Sequence, residues 1–379
     1  MENLVMITNW PTKKLGEIAK IYQGGKSGLT KKDYVKSGFS VFSATGPDGF
    51  TKKSFDSGNA VILSAIGARC GKCFYAEGKW TAIANTQVIK FDNPITARFM
   101  YYYLNNESRW PRFGSAQPFI APSTVKRLKV PFPPLKIQKQ IVERLDKIAE
   151  AQKLNNELVQ KADELFQSLL HQELNSEGEN WKVVSLGKIA EIKGGKRIPK
   201  GMNITSVKTS HPYLRVVDFM DNSVKIKDLK YIDDEVFKFI KNYTISSKDV
   251  YISIAGTIGL IGKIPSSLDG ANLTENAAKI LIDEKIINQD FLIFILSTIN
   301  SRKQIKKFTQ AVGVPKLALE RIKKIQISLP SLKVQKQIVE KLTVVQEYKK
   351  QLLAQKSKLK ELFDSVLNKS MKGESIKLC

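Results

Sequence analysis

The amino-acid sequence contains two copies of one framework, and this duplication limits what the chain can fold into. Residues 10–19 recur 171 positions later as residues 181–190, with the shared pattern Trp-x-x-x-x-Leu-Gly-x-Ile-Ala. Residues 135–145 recur as residues 332–342, and nine of these 11 positions are identical. A repeat of this length is too long for a solenoid unit. The chain is therefore interpreted as a tandem duplication of a whole domain.

Between these anchors the two copies diverge, and only weaker similarities remain. Each copy runs into a Gly-Gly-Lys sequence, at residues 24–26 and 194–196, with a slip of one residue, and residues 61–67 resemble residues 250–256. We therefore expect a repeated framework with different contents. The predicted organisation is a first domain at 1–132, a central helix at 133–174, a second domain at 175–329, and a C-terminal helix with a tail at 330–379.

Two long helices are predicted after the proline-containing segments that close the domains. Apolar residues recur at spacings of three and four, and no Gly or Pro interrupts 135–172 or 332–369. Each helix could run for about 35 residues, or roughly 50 Å. The narrow apolar stripe favours an antiparallel coiled coil, with packing of each helix on its own domain as the alternative. The predicted packing residues are Ile141, Leu145, Ile148, Leu158, Leu165, Ile338, Leu342, Val345, Leu359 and Leu362.

The domains themselves are predicted to be of the α+β class, each a mixed α/β domain. Short β-branched runs, such as residues 60–63, 86–89 and 279–282, alternate with turns that contain Gly and Asn. Helical patterns follow at about 97–106 and 289–307. We expect the two domains to form a pseudo-twofold repeat joined by the two long helices.

The charge of the chain indicates a polyanionic partner. Lys and Arg number 61 against 36 Asp and Glu, which gives a net charge of +25. Such a balance favours nucleic acid, with a solvated lysine-rich surface as the alternative. No apolar run approaches the roughly 20 residues of a membrane helix, and no secretory signal is visible. Three cysteines exclude a disulfide framework and favour a reducing cytoplasm.

The motifs that could carry catalysis are weak. Gly24-Gly-Lys-Ser27 resembles the end of a phosphate loop, but that motif requires a glycine where Lys20 stands. Cys70 and Cys73 have the spacing of a redox or zinc pair, but no second pair accompanies them. With only two histidines, a histidine-based site could not occur in both copies. We therefore expect no catalytic activity and no metal site.

The paired motifs resemble the specificity subunits of type I restriction–modification systems (HsdS). The closing motif of that family stands here as Pro134-Leu-Lys-Ile-Gln138-Lys-Gln-Ile141 and as Ser331-Leu-Lys-Val-Gln335-Lys-Gln-Ile338, where Ser331 replaces a common proline. The family's Tyr-Leu-Arg-Val segment begins at Tyr213, whereas the first copy has the variant that begins at Phe39. The resemblance spans nearly the whole chain.

This resemblance implies a non-catalytic subunit in which each domain is a target recognition domain for one half of a bipartite DNA site. The helices would set the spacer and help to bind two modification (HsdM) subunits, and restriction (HsdR) subunits would complete the endonuclease. S-adenosylmethionine, ATP and Mg are expected on the partners, and no cofactor on this chain. The alternatives are a stand-alone sequence-specific repressor or architectural DNA-binding protein, and an enzyme that uses Cys70 and Cys73.

Basic and amide side chains near the glycine turns and near each domain's closing loop are the predicted DNA contacts. Arg and Gln can pair with guanine and adenine, whereas Lys more often meets phosphate. The predicted residues are Lys26, Lys52, Lys53, Arg69, Lys72 and Gln117 in the first domain, and Lys196, Arg197, Lys200, Arg215 and Gln310 in the second.

Overall fold

The computed structural model describes residues 10–25, 27–174, 181–220, 222–309 and 315–374. The chain divides into two compact units. Unit 1 comprises the described residues up to Glu157 together with those from Leu353 onward, and unit 2 comprises Leu158–Leu352. Both long helices are therefore shared, since each contributes one half to each unit.

Unit 1 is built from short strands and helices. The strands are β1 (Thr12–Lys14), β2 (Lys20–Gln23), β3 (Phe39–Ser43), β4 (Gly46–Thr51), β5 (Asp56–Ser57), β6 (Asn59–Ser64), β7 (Cys73–Ala76), β8 (Lys79–Ala82), β9 (Thr86–Phe91) and β10 (Lys129–Pro131). The helices that begin in it are α1 (Leu15–Ile18), α2 (Pro94–Leu104), α3 (Pro122–Arg127) and α4 (Leu135–Leu174).

Unit 2 has counterparts of these elements in the same order, with a short hairpin and two helices added and with a 3-10 turn in the place of α1. Its strands are β11 (Lys182–Ser185), β12 (Ala190–Gly194), β13 (His211–Leu214), β14 (Phe219–Met220), β15 (Ser223–Val224), β16 (Lys230–Ile232), β17 (Thr244–Ile245), β18 (Val250–Ser253), β19 (Ile261–Gly262), β20 (Ala271–Leu273), β21 (Ala277–Ile282) and β22 (Gln326–Leu329). Its helices are α5 (Asp234–Ile240), α6 (Gln289–Leu296), α7 (Ile299–Phe308), α8 (Leu319–Ile322) and the start of α9 (Leu332–Lys372).

The two units share one sheet topology. In unit 1 an antiparallel sheet has the order β2-β9-β6-β7, and a second sheet has the order β4-β3-β8-β5 with β3 and β8 parallel. In unit 2 the matching orders are β12-β21-β18-β19 and β16-β13-β20-β17, with β13 and β20 parallel. The pairs β1–β10 and β11–β22 also correspond. The predicted duplication of a mixed α/β domain is confirmed.

The repeated closing motif has a clear packing role, because its glutamine is buried at the start of each long helix. Gln138 Nε2 donates to the Pro133 carbonyl at 2.8 Å, and Thr96 Oγ1 of α2 donates to Gln138 Oε1 at 2.8 Å. Gln335 Nε2 donates to the Pro330 carbonyl at 2.9 Å, and the Asn288 backbone N–H, just before α6, donates to Gln335 Oε1 at 2.7 Å. A buried amide thus fixes each long helix to its domain.

Within each unit the two long helices are antiparallel. In unit 1, Asn155 Nδ2 donates to Gln355 Oε1 and Gln152 Nε2 donates to the Leu359 carbonyl, both at 3.1 Å. In unit 2, Lys341 pairs with Glu173 at 2.6 Å, and Lys349 pairs with Asp163 at 2.5 Å. The predicted antiparallel contact is confirmed.

The long helices also pack on the domains, which was the alternative to a coiled coil. In unit 1, Ile141 and Leu145 are buried in one cluster with Phe99 and Met100 of α2 and with Val366 of α9. In unit 2, Ile338 and Leu342 are buried with Leu292 of α6 and with Leu170 of α4. Each half-helix therefore contacts its partner helix and its own domain at the same time. Of the other predicted packing residues, Val345 is buried, and Ile148 and Leu359 are half-buried.

Three predicted packing residues need correction. Leu158, Leu165 and Leu362 are 40%, 49% and 46% exposed. The buried positions in these stretches are Ala162, Leu170 and Val366 instead. A seam between two helices covers only a narrow stripe of each, so an apolar pattern that is wider than the seam leaves some of its leucines in solvent.

No helix among the described residues is long and apolar enough to cross a membrane.

Candidate nucleic-acid interface

Several loops of unit 1 meet at one edge of its sheets. Strands β2 and β6 end where β9 begins, because β9 is antiparallel to both. At this edge the Ala65 N–H donates to the Asn85 carbonyl, and the Gly67 N–H donates to the Pro118 carbonyl, both at 2.9 Å. We call residues 24–25, 44–45, 65–72, 83–85 and 113–119 the loop edge of unit 1.

Unit 2 has an equivalent loop edge, which comprises residues 194–197, 215, 254–260, 274–276 and 315–317. The Ile254 N–H donates to the Asn276 carbonyl at 2.8 Å, in the place of the bond between Ala65 and Asn85. In unit 1 the Ile120 N–H donates to the Ala65 carbonyl at 2.9 Å, and in unit 2 the Leu317 N–H makes the equivalent bond to the Ile254 carbonyl at 2.9 Å. These matching hydrogen bonds give a residue-by-residue correspondence between the two edges.

This correspondence corrects the sequence alignment of the glycine turns. The Gly24 N–H donates to the Thr86 carbonyl at 3.0 Å, and the Gly195 N–H donates to the Ala277 carbonyl at 3.0 Å, so Gly24 matches Gly195 rather than Gly194. A Cβ at Gly24 would clash with Thr86 Oγ1, and a Cβ at Gly195 would clash with the Thr274 carbonyl. Close backbone approach requires glycine at both positions. The 171-residue offset therefore persists without the slip.

Three of the predicted contacts in the first domain lie on its loop edge. Arg69 is exposed, and its guanidinium donates to the Thr45 carbonyl at 3.0 Å, which holds the β3–β4 turn against the loop 65–72. Lys72 ends the same loop, and Gln117 lies in the neighbouring loop, with both residues exposed. These two loops contact each other through Gly67 and Pro118.

Other predicted contacts in the first domain lie elsewhere. Lys52 and Lys53 follow the end of β4, where Thr51 pairs with Phe39 at the start of β3, so they lie at the opposite end of the second sheet. The structure does not bring them to the loop edge. Lys26 lies outside the described residues.

The loop edge of unit 2 contains a basic cleft of about 530 Å³. Among the described residues that line it, Lys196, Arg197 and Lys316 are basic and Glu275 alone is acidic. Arg197 is exposed and pairs with Glu275 at 2.7 Å. Burial opposes ionisation of Glu275, but hydrogen bonds from Arg197 and Thr274 lower the pKa of its carboxyl below the ordinary value. The cleft keeps an excess of positive charge that an anion could meet.

The remaining predicted contacts in unit 2 differ in their surroundings. Arg215 is only partly exposed, and two of its guanidinium nitrogens donate to the buried carboxylate of Asp218 at 3.0 and 2.7 Å. This bidentate pair occupies much of the hydrogen-bonding capacity that was expected to meet DNA. Lys200 is exposed in the segment that follows β12. Gln310 lies outside the described residues.

Sequence reasoning missed Lys316 and the aromatic residues Phe113 and Phe119. The two phenylalanines are 48% and 40% exposed at the loop edge of unit 1, with ring centroids 5.8 Å apart. Phe119 and Lys316 occupy equivalent positions, because Phe119 forms an isolated β-bridge with Ile66 and Lys316 forms one with Ala255. A shared proline precedes both residues at the 197-residue offset, and this was the available signal.

The cysteine pair is buried in the core. Cys70 and Cys73 both belong to the main hydrophobic cluster of unit 1, and Cys73 Sγ donates to the Leu104 carbonyl at 3.3 Å. Burial raises the pKa of both thiols above the ordinary value. A reactive or metal-binding cysteine needs the thiolate, which this environment disfavours. No cluster of three or more potential metal ligands occurs among the residues that the structure describes.

A duplicated domain with a loop edge on each copy, and a net charge of +25, is typical of a protein that binds nucleic acid at two places. The family model for the type I restriction modification DNA specificity domain matches residues 7–163 and 178–362. The chain therefore belongs to the specificity subunits of type I restriction–modification systems, the non-catalytic subunits that recognise DNA. The resemblance seen in the sequence is confirmed.

Similar proteins agree with this assignment. A type I restriction enzyme specificity subunit of Haemophilus influenzae is 26% identical over 89% of this chain and 88% of its own. A type I specificity subunit of Mycoplasma pneumoniae is 26% identical over 86% of both chains. The fold matches the crystal structure of the type I S subunit from M. genitalium with a TM-score of 0.65, at 17% identity over 99% of both chains. These comparisons do not support a stand-alone repressor.

Proposed function

We propose that each unit reads one half of a bipartite, asymmetric DNA target through its loop edge. The observation that carries this proposal is that the two edges share one backbone but differ in side chains. Gly25 matches Lys196, because their N–H groups make equivalent hydrogen bonds. The Gly25 N–H donates to the carbonyl of Ala82, the last residue of β8, and the Lys196 N–H donates to the carbonyl of Leu273, the last residue of β20, both at 2.8 Å. One scaffold with different side chains suits the reading of two different sequences.

The electrostatic layouts of the two edges also differ. Lys72 matches Leu260, since their carbonyls accept from Ser64 and Ser253 at the same point of the loop. Unit 1 thus places Arg69 and Lys72 on the loop 65–72, whereas the matching loop 254–260 of unit 2 contains no basic residue. Unit 2 instead places Lys316 where unit 1 has Phe119. We propose that the exposed predicted contacts Arg69, Gln117 and Arg197 meet base edges, and that Lys72, Lys196 and Lys200 meet phosphates. Lys26, Lys52, Lys53, Arg215 and Gln310 are also proposed DNA contacts.

The long helices are proposed to dock two HsdM subunits and to set the spacer between the half-sites. Exposed apolar side chains on the helices support docking: Leu154, Leu353 and Leu362 in unit 1, and Leu158, Leu165, Val344 and Tyr348 in unit 2. Exposed apolar residues of this size suit a protein partner. HsdR subunits would complete the endonuclease, and S-adenosylmethionine, ATP and Mg would be bound by the partner subunits. Such a complex would act on DNA in the cytoplasm.

Sequencing of methylated bases in a host that carries the intact system tests this proposal. We expect one motif made of two short, different specified sequences that are separated by unspecified bases. The control is the same host without this chain, in which the motif should be unmethylated. A continuous motif, or one with two identical halves, would contradict the reading of two different half-sites.

A further inference from the structure

We propose that Phe113 and Phe119 form an apolar reading element for A·T base pairs in the half-site of the first domain. This inference rests on the proposed function, because it assumes that the loop edge of unit 1 meets DNA. It adds a specific base class and two residues that the charge pattern did not indicate.

The backbone presents these two side chains on a short closed loop. The Phe113 N–H donates to the Phe119 carbonyl at 2.9 Å, and the Phe119 N–H donates back to the Phe113 carbonyl at 2.8 Å. Gly114 has a φ of +83°, and a Cβ there would lie 2.7 Å from the Gln117 carbonyl, so the loop requires glycine. The bridge between Ile66 and Phe119 attaches the loop to the residues around Arg69. The backbone that carries the two exposed rings is therefore fixed, and the ring centroids lie 5.8 Å apart.

An exposed aromatic pair next to a basic loop suits a partner that has an apolar group with negative charges on either side of it. In the major groove of DNA the apolar group is the C5 methyl of thymine, and phosphates flank it on both sides. Gln117 lies between the two phenylalanines in sequence and is exposed. A glutamine amide can pair with the N6 and N7 atoms of adenine. The loop thus offers both parts that an A·T pair requires.

The equivalent position in unit 2 supports a role in specificity rather than in folding. Lys316 replaces Phe119 at the same bridge position, and it lines the basic cleft with Lys196 and Arg197. Since the backbone accepts either residue, the ring of Phe119 is not needed to build the loop edge. The second domain should therefore lack this thymine contact.

The test uses the assembled complex with HsdM and duplexes that carry the mapped motif, with uracil in place of each thymine in turn. Uracil lacks only the C5 methyl. In the half-site of the first domain, at least one such replacement should weaken binding about fourfold, as expected for the loss of one buried methyl group. A variant with both Phe113→Ser and Phe119→Ser should bind thymine and uracil duplexes equally, with weaker binding to the thymine duplex than the wild type has.

Two controls separate this effect from general losses. Phe55→Ser removes a phenylalanine that is 53% exposed and follows β4 and its lysines at the opposite end of the sheet, and it should keep the uracil sensitivity. Lys316→Ala should weaken binding to all sequences, with no change in the response to uracil. Equal binding of thymine and uracil duplexes by the wild type would overturn the inference. If the motif also proved not to be bipartite, the proposed function itself would fail.

Discussion

Replacing Gln335 with alanine should destabilise unit 2 more than the matching change at Gln138 destabilises unit 1. Both glutamines are fully buried. Gln335 makes three hydrogen bonds, since Nε2 donates to the Ile286 and Pro330 carbonyls at 3.1 and 2.9 Å and Oε1 accepts from the Asn288 backbone N–H at 2.7 Å. Gln138 makes two, and one of them involves the hydroxyl of Thr96, which can rotate toward another acceptor.

The expected cost follows from the groups that lose their partners. A polar group left buried and unsatisfied costs about 1–3 kcal/mol. Gln335→Ala leaves the Asn288 backbone N–H without its acceptor and removes the donor to the Ile286 and Pro330 carbonyls. We therefore expect the free energy of unfolding to fall by about 3 kcal/mol. For Gln138→Ala we expect about 2 kcal/mol. With an m-value of about 3 kcal/mol per molar urea, the first change lowers the urea midpoint of unit 2 by about 1 M.

Urea unfolding followed by tryptophan fluorescence measures this difference. Trp181 is the sole tryptophan of unit 2, whereas Trp10, Trp80 and Trp110 belong to unit 1, so variants that retain one tryptophan report on one unit each. Lys336→Ala, at the exposed neighbouring position, is the control and should change stability by no more than about 0.5 kcal/mol. Equal midpoints for Gln335→Ala and Lys336→Ala would refute the role of the buried amide.

Three further predictions concern the loop edge and the helices. Lys196→Ala should weaken binding to all DNA sequences and reduce the slope of the logarithm of the binding constant against the logarithm of salt concentration by about one. Titrations at several salt concentrations measure this slope, and an unchanged slope would exclude a phosphate contact. Gly195→Ala should destabilise unit 2 by more than about 1 kcal/mol in urea unfolding, because the added methyl clashes with the Thr274 carbonyl, and unchanged stability would contradict that geometry. Four residues would be inserted after Gln152 and four after Leu359, because these two residues lie opposite each other and the paired insertion keeps the antiparallel contact. Each helix should lengthen by about 6 Å, and the preferred spacer in methylated targets should lengthen by one or two base pairs. An unchanged spacer optimum in a complex that still assembles would leave the helices with docking alone.

The duplication predicted much of the fold, because identical local sequences in the framework make identical local contacts. The long helices, predicted at about 35 residues, run for 40 and 41 residues. Their periodicity could not show which leucines are buried, since that depends on the width of the seam. Leu158, Leu165 and Leu362 were assigned to the seam for this reason, although they are exposed.

The functional surface was less accessible to sequence reasoning, because it depends on which loops the sheets bring together. Lys52 and Arg69 look alike as basic residues near turns, but only Arg69 reaches the loop edge. The sequence marks Arg215 as a basic residue near a turn, but it does not show that Asp218, three residues later, holds its guanidinium. Phe119 and Lys316 differ in chemistry, and apart from the preceding proline it is the matching backbone bonds of the two edges that show their equivalence.

Each unit is proposed to read one half-site independently, and an exchange of one domain tests this independence in a single experiment. Residues 10–130 would be replaced by the corresponding segment of a relative, with both long helices kept, and the methylated motif would be sequenced in the host. We expect that one half of the motif changes while the other half and the spacer stay the same. A change in both halves, in a complex that still assembles and methylates DNA, would contradict the claim.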